Sequence, residues 1–211
     1  ILPSYWPRAI FWLTDSIEPT DGTAGDDTFS GVVDTSTGGD STFQNGDVVN
    51  GDDGTDRFNV TIADGDTPAG GELNSVEQVF ARNVSGSSSN VDAASFTGVE
   101  QFWNRGSLEN SPVTFTNVGA LATLGVRNTD ADTTIEFGSS VLDGNDDTVN
   151  VALDNAEGGD VTIGTNGAET VAIEALGGSG SEIGSLDTGN GESVVVTGAQ
   201  DLTISGGVND D

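Results

Sequence analysis

Three aspartates keep a fixed offset from a large apolar residue, and two of them, Asp27 and Asp56, from glycine as well. Gly51-Asp-Asp-Gly-Thr-Asp-Arg-Phe-Asn59 follows the nonapeptide Gly-Gly-x-Gly-x-Asp-x-U-x, where U is large and apolar, with Asp52 standing at the second glycine. Thr42–Asn50 puts Asp47 and Val49 at the same offsets, and Gly22–Ser30 does so with Asp27 and Phe29. Weaker echoes fall at Asn145-Asp-Asp-Thr-Val149 and Gly164–Ala172. The glycines permit positive φ, so a tight turn can aim carbonyl oxygens at one point. The aspartate adds a carboxylate at a strand entrance, and the apolar residue two positions on turns inward as an anchor. Such oxygens at ~2.3–2.6 Å suit Ca²⁺, which accepts about six to eight of them in loose geometry, whereas Mg²⁺ demands octahedral order and keeps its waters. A site of this kind is shared between turns of neighbouring coils, so one nonapeptide supplies half of it.

The elements that must position these turns are β-strands. Period-2 alternation recurs at 57–62, 113–116, 134–137, 148–153, 160–163, 170–173, 193–196 and 201–204, in Val, Ile, Thr and Phe between Gly/Asn/Asp/Ser turns. No 12-residue stretch carries a helical period with helix-forming residues. Val76–Asn83 and Val99–Gly106 are an internal duplication 23 residues apart (VEQVFARN and VEQFWNRG). Strand starts 8 to 13 residues apart, two per coil of ~20 residues, predict an all-β chain folded as a right-handed parallel β-solenoid, or β-helix. The competing β-sandwich would favour two-residue hairpin turns between longer strands. Residues 42–59 read as one coil of two nonapeptides. Arg82 and Arg105, one duplication step apart, are expected to ladder along one face and pair with repeat-matched acids such as Glu77 and Glu100.

Composition narrows the chemistry. The 211 residues carry 35 Asp and Glu against five cations, all arginine, for a formal charge of −30, with no Lys, His, Cys or Met. Imidazole or thiolate zinc sites, a Ser-His-Asp triad, disulfides and Schiff-base lysines are thereby excluded. Such a charge repels phosphate, so nucleic acid is not expected as a partner, and no apolar run reaches the ~20 residues of a membrane helix. Acidity that solvates the surface of a halophilic protein would scatter Asp and Glu without phase. Here Asp27, Asp47 and Asp56 keep phase with Phe29, Val49 and Phe58. Paired carboxylates leave acid/base chemistry formally open, but Arg57, Arg82, Arg105 and Arg127 lie in or beside strand-like segments, and no enzymatic activity is expected. Residues 1–20 hold two of the three tryptophans, the only tyrosine and three of the five prolines. They read as a cap packed on the following domain or a docking strand for a neighbour. A start at Ile1 without methionine reads as a processed product or a piece of a longer protein.

Thr23–Gly31 and Asn45–Val60, continued by Leu73–Val79, Phe96–Glu100 and Val196–Ile204, resemble the assembly region of RTX-type, calcium-dependent bacterial S-layer proteins over about residues 20–206. The resemblance implies a β-solenoid exported by type I secretion that folds on meeting extracellular Ca²⁺ and self-assembles at the cell surface. Carried over by motif, the ligands are Asp26, Asp27, Asp47, Asp52 and Asp56, with Asp146 and Asp147 in the weaker echo. The chain then divides into an aromatic segment (1–20), a calcium-binding nonapeptide region (21–63) and solenoid coils (64–211). The expected partner is the protein itself, in a lattice or filament, with cell-surface polysaccharide as a second candidate. The alternative function is a non-catalytic spacer module of a larger secreted adhesin or hydrolase.

Overall fold

Short Val/Ile/Thr/Phe runs with one apolar face cannot bury that face alone, and here they do so by stacking in parallel. The structure is a computed structural model that describes residues 8–164 and 168–209; Tyr5 and Trp6 of the aromatic segment, and residues 165–167 of the weakest echo, lie outside them. The chain is a parallel β-solenoid: every strand pair is parallel, and the described residues contain no helix. Nine strands form one long sheet: Ile10–Trp12, Thr28–Asp34, Arg57–Asp64, Gln78–Asn83, Gln101–Arg105, Thr123–Arg127, Thr148–Asp154, Thr170–Leu176 and Ser193–Gly198. A four-stranded sheet (Pro19–Asp21, Val48–Asn50, Glu72–Asn74, Phe96–Thr97) flanks the early coils. A six-stranded sheet, from Ser89–Asp92 to Val208–Asn209, forms another face from the middle of the chain onward, and Ser181–Ile183 pairs with Leu202–Ile204 between these faces. Coils in the second half therefore carry up to three strand segments, where the sequence pattern suggested two.

Register shows why the nonapeptides matter. Phe29 lies opposite Phe58, so Gly22–Ser30 stacks directly on Gly51–Asn59, and Phe58 lies opposite Val79 of the duplicated segment. Val79 faces Phe102, which puts the two duplicated copies in contact at equivalent positions. Asp47 and Val49 belong to a different corner: Val49 pairs with Thr20 and Leu73 in the four-stranded sheet. The step between coils is 18 residues from Ala9 to Asp27 but 29 from Asp27 to Asp56. The extra length is looped out after Thr28–Asp34, and residues 42–59 span two corners within that larger coil.

Residues 8–21 supply the first coil. Ile10–Trp12 pairs with Thr28–Ser30, Pro19–Asp21 pairs with Val48–Asn50, and the Phe11 ring stacks on Phe29 with centroids 4.9 Å apart. The core is a column of inward residues, including Phe29, Phe58, Val79, Phe102, Leu124, Val151 and Ile173, all buried. Asn83 and Asn104 occupy inward positions as well. Asn83 donates to Ser87 O (2.8 Å) and Pro112 O (2.9 Å), while Asn104 donates to Thr133 Oγ1 (2.7 Å) and accepts from Ser107 Oγ (2.6 Å). These bonds satisfy the polar groups of a tightening corner, as buried polar groups require.

Phe58 packs against Phe43 (centroids 4.8 Å) and anchors the strand that Asp56 begins. Phe58→Ala should cost about 3–5 kcal/mol, measured as a lowered urea midpoint with an unchanged denaturant slope.

Candidate metal centre

At the entrance to the long sheet the amide just before the strand points towards the next coil in each of the first three coils, and a carboxylate meets it. Ala9 N donates to Asp27 Oδ1 (2.6 Å), Asp27 N to Asp56 Oδ1 (2.6 Å), and Asp56 N to Glu77 Oε2 (2.7 Å). Asp27 Oδ2 also accepts from Thr23 N (2.5 Å). Asp27 and Asp56 are fully buried, because the inward turn that anchors Phe29 and Phe58 carries the preceding aspartates inside the corner. Charged hydrogen bonds of this type are among the stronger ones, yet three carboxylates share one column.

Asp56 bears the cost. Its Oδ2 is buried and has no hydrogen-bond partner among the described residues. Burial raises its pKa from 3.8 to about 6; the Asp27 amide opposes the rise, and the charges of Glu77, Asp27 and Asp26 add to it. A buried polar oxygen without a partner calls for a proton, a water or an ion. The neighbouring glycines define the space in front of it. A Cβ on Gly51 would lie 2.5 Å from Asp56 Oδ2 and 1.8 Å from Ser75 O. One coil earlier, a Cβ on Gly22 would meet Gly51 O at 2.5 Å, Asp27 Oδ2 at 2.9 Å and Asn50 O at 3.1 Å. Glycine thus leaves two stacked notches into which carbonyl and carboxylate oxygens point, donors that suit a hard cation.

The residues expected from sequence divide into three groups. Asp27 and Asp56 line the stacked notches, and Asp26 stands beside them, accepting Thr55 N at 3.0 Å. Asp52 lines an open cleft with Thr23, Ala24, Asp53 and Ser75 on the solvent side of the same turns. Its φ of 68° shows that the position requires the left-handed conformation glycine would normally supply. Asp47 is buried at the other corner. Burial raises its pKa, amides of Gln44 (2.7 Å) and Glu18 oppose the rise, and the Glu18 charge reinforces it. Asp146 is exposed in a later coil, where Asp147 accepts Gly144 N (2.9 Å) and donates its own amide to Glu169 Oε2 (2.7 Å). Among the described residues no three acidic side chains converge as a metal-holding group. Any cation here must therefore draw on backbone carbonyls as much as on carboxylates.

Sequence reasoning missed Glu77 and the carbonyls of Asn50, Gly51 and Ser75. Glu77 was legible as the residue one step before a strand, the place Asp27 and Asp56 also occupy. The expected Arg82–Glu77 and Arg105–Glu100 pairings do not form. Residues five apart on a strand point to opposite faces, and among the described residues the only ion pair is Arg127–Asp154, at 3.0 Å. A side-chain ladder in the four-stranded sheet also went unread: Asn50 donates to Asp21 (2.7 Å), Asn74 to Asn50 (3.1 Å), and Thr97 to Asn74 (3.0 Å). Comparison with known proteins adds no family: no family model, curated protein or solved structure matches the chain.

Two predictions follow from this geometry. The folded chain binds the Asp56 proton more tightly than the unfolded chain, so calcium-free protein should lose stability as pH rises from about 4 to about 6. Asp56→Asn keeps an acceptor for the Asp27 amide and removes the buried charge; it should abolish that slope and leave the calcium-free protein at least as stable at pH 7, by urea titration. Asp52→Gly should stabilise calcium-free protein by up to about 1 kcal/mol by relieving the left-handed conformation, read as a rise in melting temperature.

Proposed function

We propose that the protein is a structural, non-catalytic subunit of an extracellular surface layer or filament whose folding and assembly depend on Ca²⁺. The observation that carries this reading is the buried, unpartnered Asp56 Oδ2 facing a glycine notch lined by oxygen. Asp27 and Asp56 would supply the carboxylates of the cation, and Asn50, Gly51 and Ser75 the carbonyls. A bound Ca²⁺ favours the ionised form that burial disfavours, and it bridges consecutive coils. Its binding free energy thereby becomes folding free energy by linkage. At −30 the chain repels itself and its copies, and each Ca²⁺ cancels two charges. A stack of parallel coils is also a form in which strand edges can pair between molecules.

The test is a calcium titration of EDTA-treated protein, followed by circular dichroism, light scattering and electron microscopy. β-Structure, melting temperature and ordered assemblies should all rise with Ca²⁺, and Asp56→Asn should lose most of the gain. A fold and an assembly indifferent to EDTA would reject the reading. A folded monomer at high concentration in millimolar-range Ca²⁺ would favour the spacer-module alternative.

A further inference from the structure

The five arginines are the only cations of a chain with 35 acidic residues, and they gather on one face. Arg57, Arg82, Arg105 and Arg127 alternate with the core residues Phe58, Ala81, Asn104 and Val126, so all four project from the outer face of the long sheet. Arg8 stands near enough to repel Arg57, whose pKa is lowered by burial first and then by the charges of Arg105, Arg8 and Arg127. Arg105 lies directly opposite Arg127. The register that sets Asn104 against Ala81 brings Arg82 alongside Arg105 at the next position. Three guanidinium side chains therefore occupy one row across three adjacent strands, at the strand spacing of ~4.8 Å. They line an open groove of about 340 Å³ with Gly106 and Asn128.

Neighbouring like charges destabilise a sheet, and the protein does little to offset these. Arg127 pairs with Asp154 at 3.0 Å, and Arg82 Nε donates to Gly106 O at 2.9 Å. Arg105 has no ion pair among the described residues; its guanidinium lies 5.3 Å from the centre of the Phe80 ring, and that of Arg57 lies 4.4 Å from it. The support beneath is rigid. Phe80 stacks on Trp103 (5.7 Å, 6° between planes), Trp103 Nε1 donates to Gln101 Oε1 (2.9 Å), and the Trp103 ring occupies the place of a side chain at Gly125. Both rings are nearly covered, at 6 % and 9 % exposure, so a partner would meet the charged groups and not the aromatic faces.

We propose that the Arg82–Arg105–Arg127 row binds a linear acidic polysaccharide, with successive carboxylates each taken by one guanidinium. The row repeats at a length close to one sugar residue, and the planar fork of arginine suits carboxylate. A groove running across strands fits a thin polymer. A second copy of the chain is the poorer partner. A second copy brings a formal charge of −30 with its carboxylates, which the acidic remainder of this chain repels. Duplex nucleic acid carries about one charge per 1.7 Å, a density that the acidic surroundings repel more strongly. No residue of the row belongs to the candidate metal centre, so the proposal stands or falls separately from calcium-dependent assembly.

Binding of the full chain to polygalacturonate can be measured by calorimetry in calcium buffer at low and high salt, with neutral dextran and single-stranded DNA as comparison ligands. Wild-type protein should bind polygalacturonate in preference to both, and more weakly at high salt. Arg82→Gln/Arg105→Gln/Arg127→Gln should lose about tenfold or more in affinity, with an unchanged circular dichroism spectrum and unchanged calcium-dependent assembly. Should the triple variant fail to fold, Arg82→Gln and Arg105→Gln separately give the same reading at smaller amplitude. The proposal is overturned if wild type binds no polygalacturonate, or if the variants bind it equally, as calcium bridging would allow. It is also overturned if single-stranded DNA binds as well, or if the variants lose self-association with glycan binding intact.

Discussion

The first coils of this protein are held to one another by a backbone amide at a strand entrance and the carboxylate that accepts it. Parallel strands must match N–H with C=O along their length, but the first amide of a strand lies beyond the ladder and inside a corner. An aspartate or glutamate at that place on the next coil completes the pairing, as Asp27, Asp56 and Glu77 do in succession. Asp147 and Glu169 repeat the device farther along. Asp27 and Asp56 reach their amides from fully buried positions, and burial of negative charges beside one another is unfavourable. The raised pKa of Asp56 is the visible sign of that conflict. A proton relieves it in acid, and a bound divalent cation would relieve it at neutral pH.

The same constraint explains why glycine and aspartate travel together in the early coils. The notches at Gly22 and Gly51 have no room for a Cβ, since Gly51 O, Asp27 Oδ2, Ser75 O and Asp56 Oδ2 already point into them. Asp52, held at φ 68°, is the one place in this turn where the glycine of the pattern has been exchanged for another carboxylate. That exchange gives up conformational ease and adds a charge on the solvent side of the notch.

Charge is also sorted in space. The outer face of the long sheet carries the arginines over Phe80 and Trp103, with Asp154 beside Arg127 as their one ion-pair partner among the described residues. Strand alternation does the sorting: Arg82 and Glu77, or Arg105 and Glu100, cannot meet because their side chains leave opposite faces. The arginines are consequently left facing one another, supported from below and open above.

Phase and alternation were readable directly. The register of Asp27 and Asp56 with Phe29 and Phe58, the 23-residue duplication and the short period-2 strands together favoured parallel coils over a β-sandwich, because stacking places repeat-equivalent residues in contact. Asp27 and Asp56 were recognisable as strand-entrance carboxylates for the same reason. What the sequence could not supply was anything that depends on how the unequal loops close. The 29-residue step put Asp47 at a separate corner from Asp56 despite their nine-residue spacing. Backbone oxygens carry no residue identity, so Asn50, Gly51 and Ser75 emerged as notch residues only once the coils were stacked. The arginine row had the same origin: Arg105 and Arg127 are 22 positions apart in a chain whose coils vary in length, and only the strand register set them side by side.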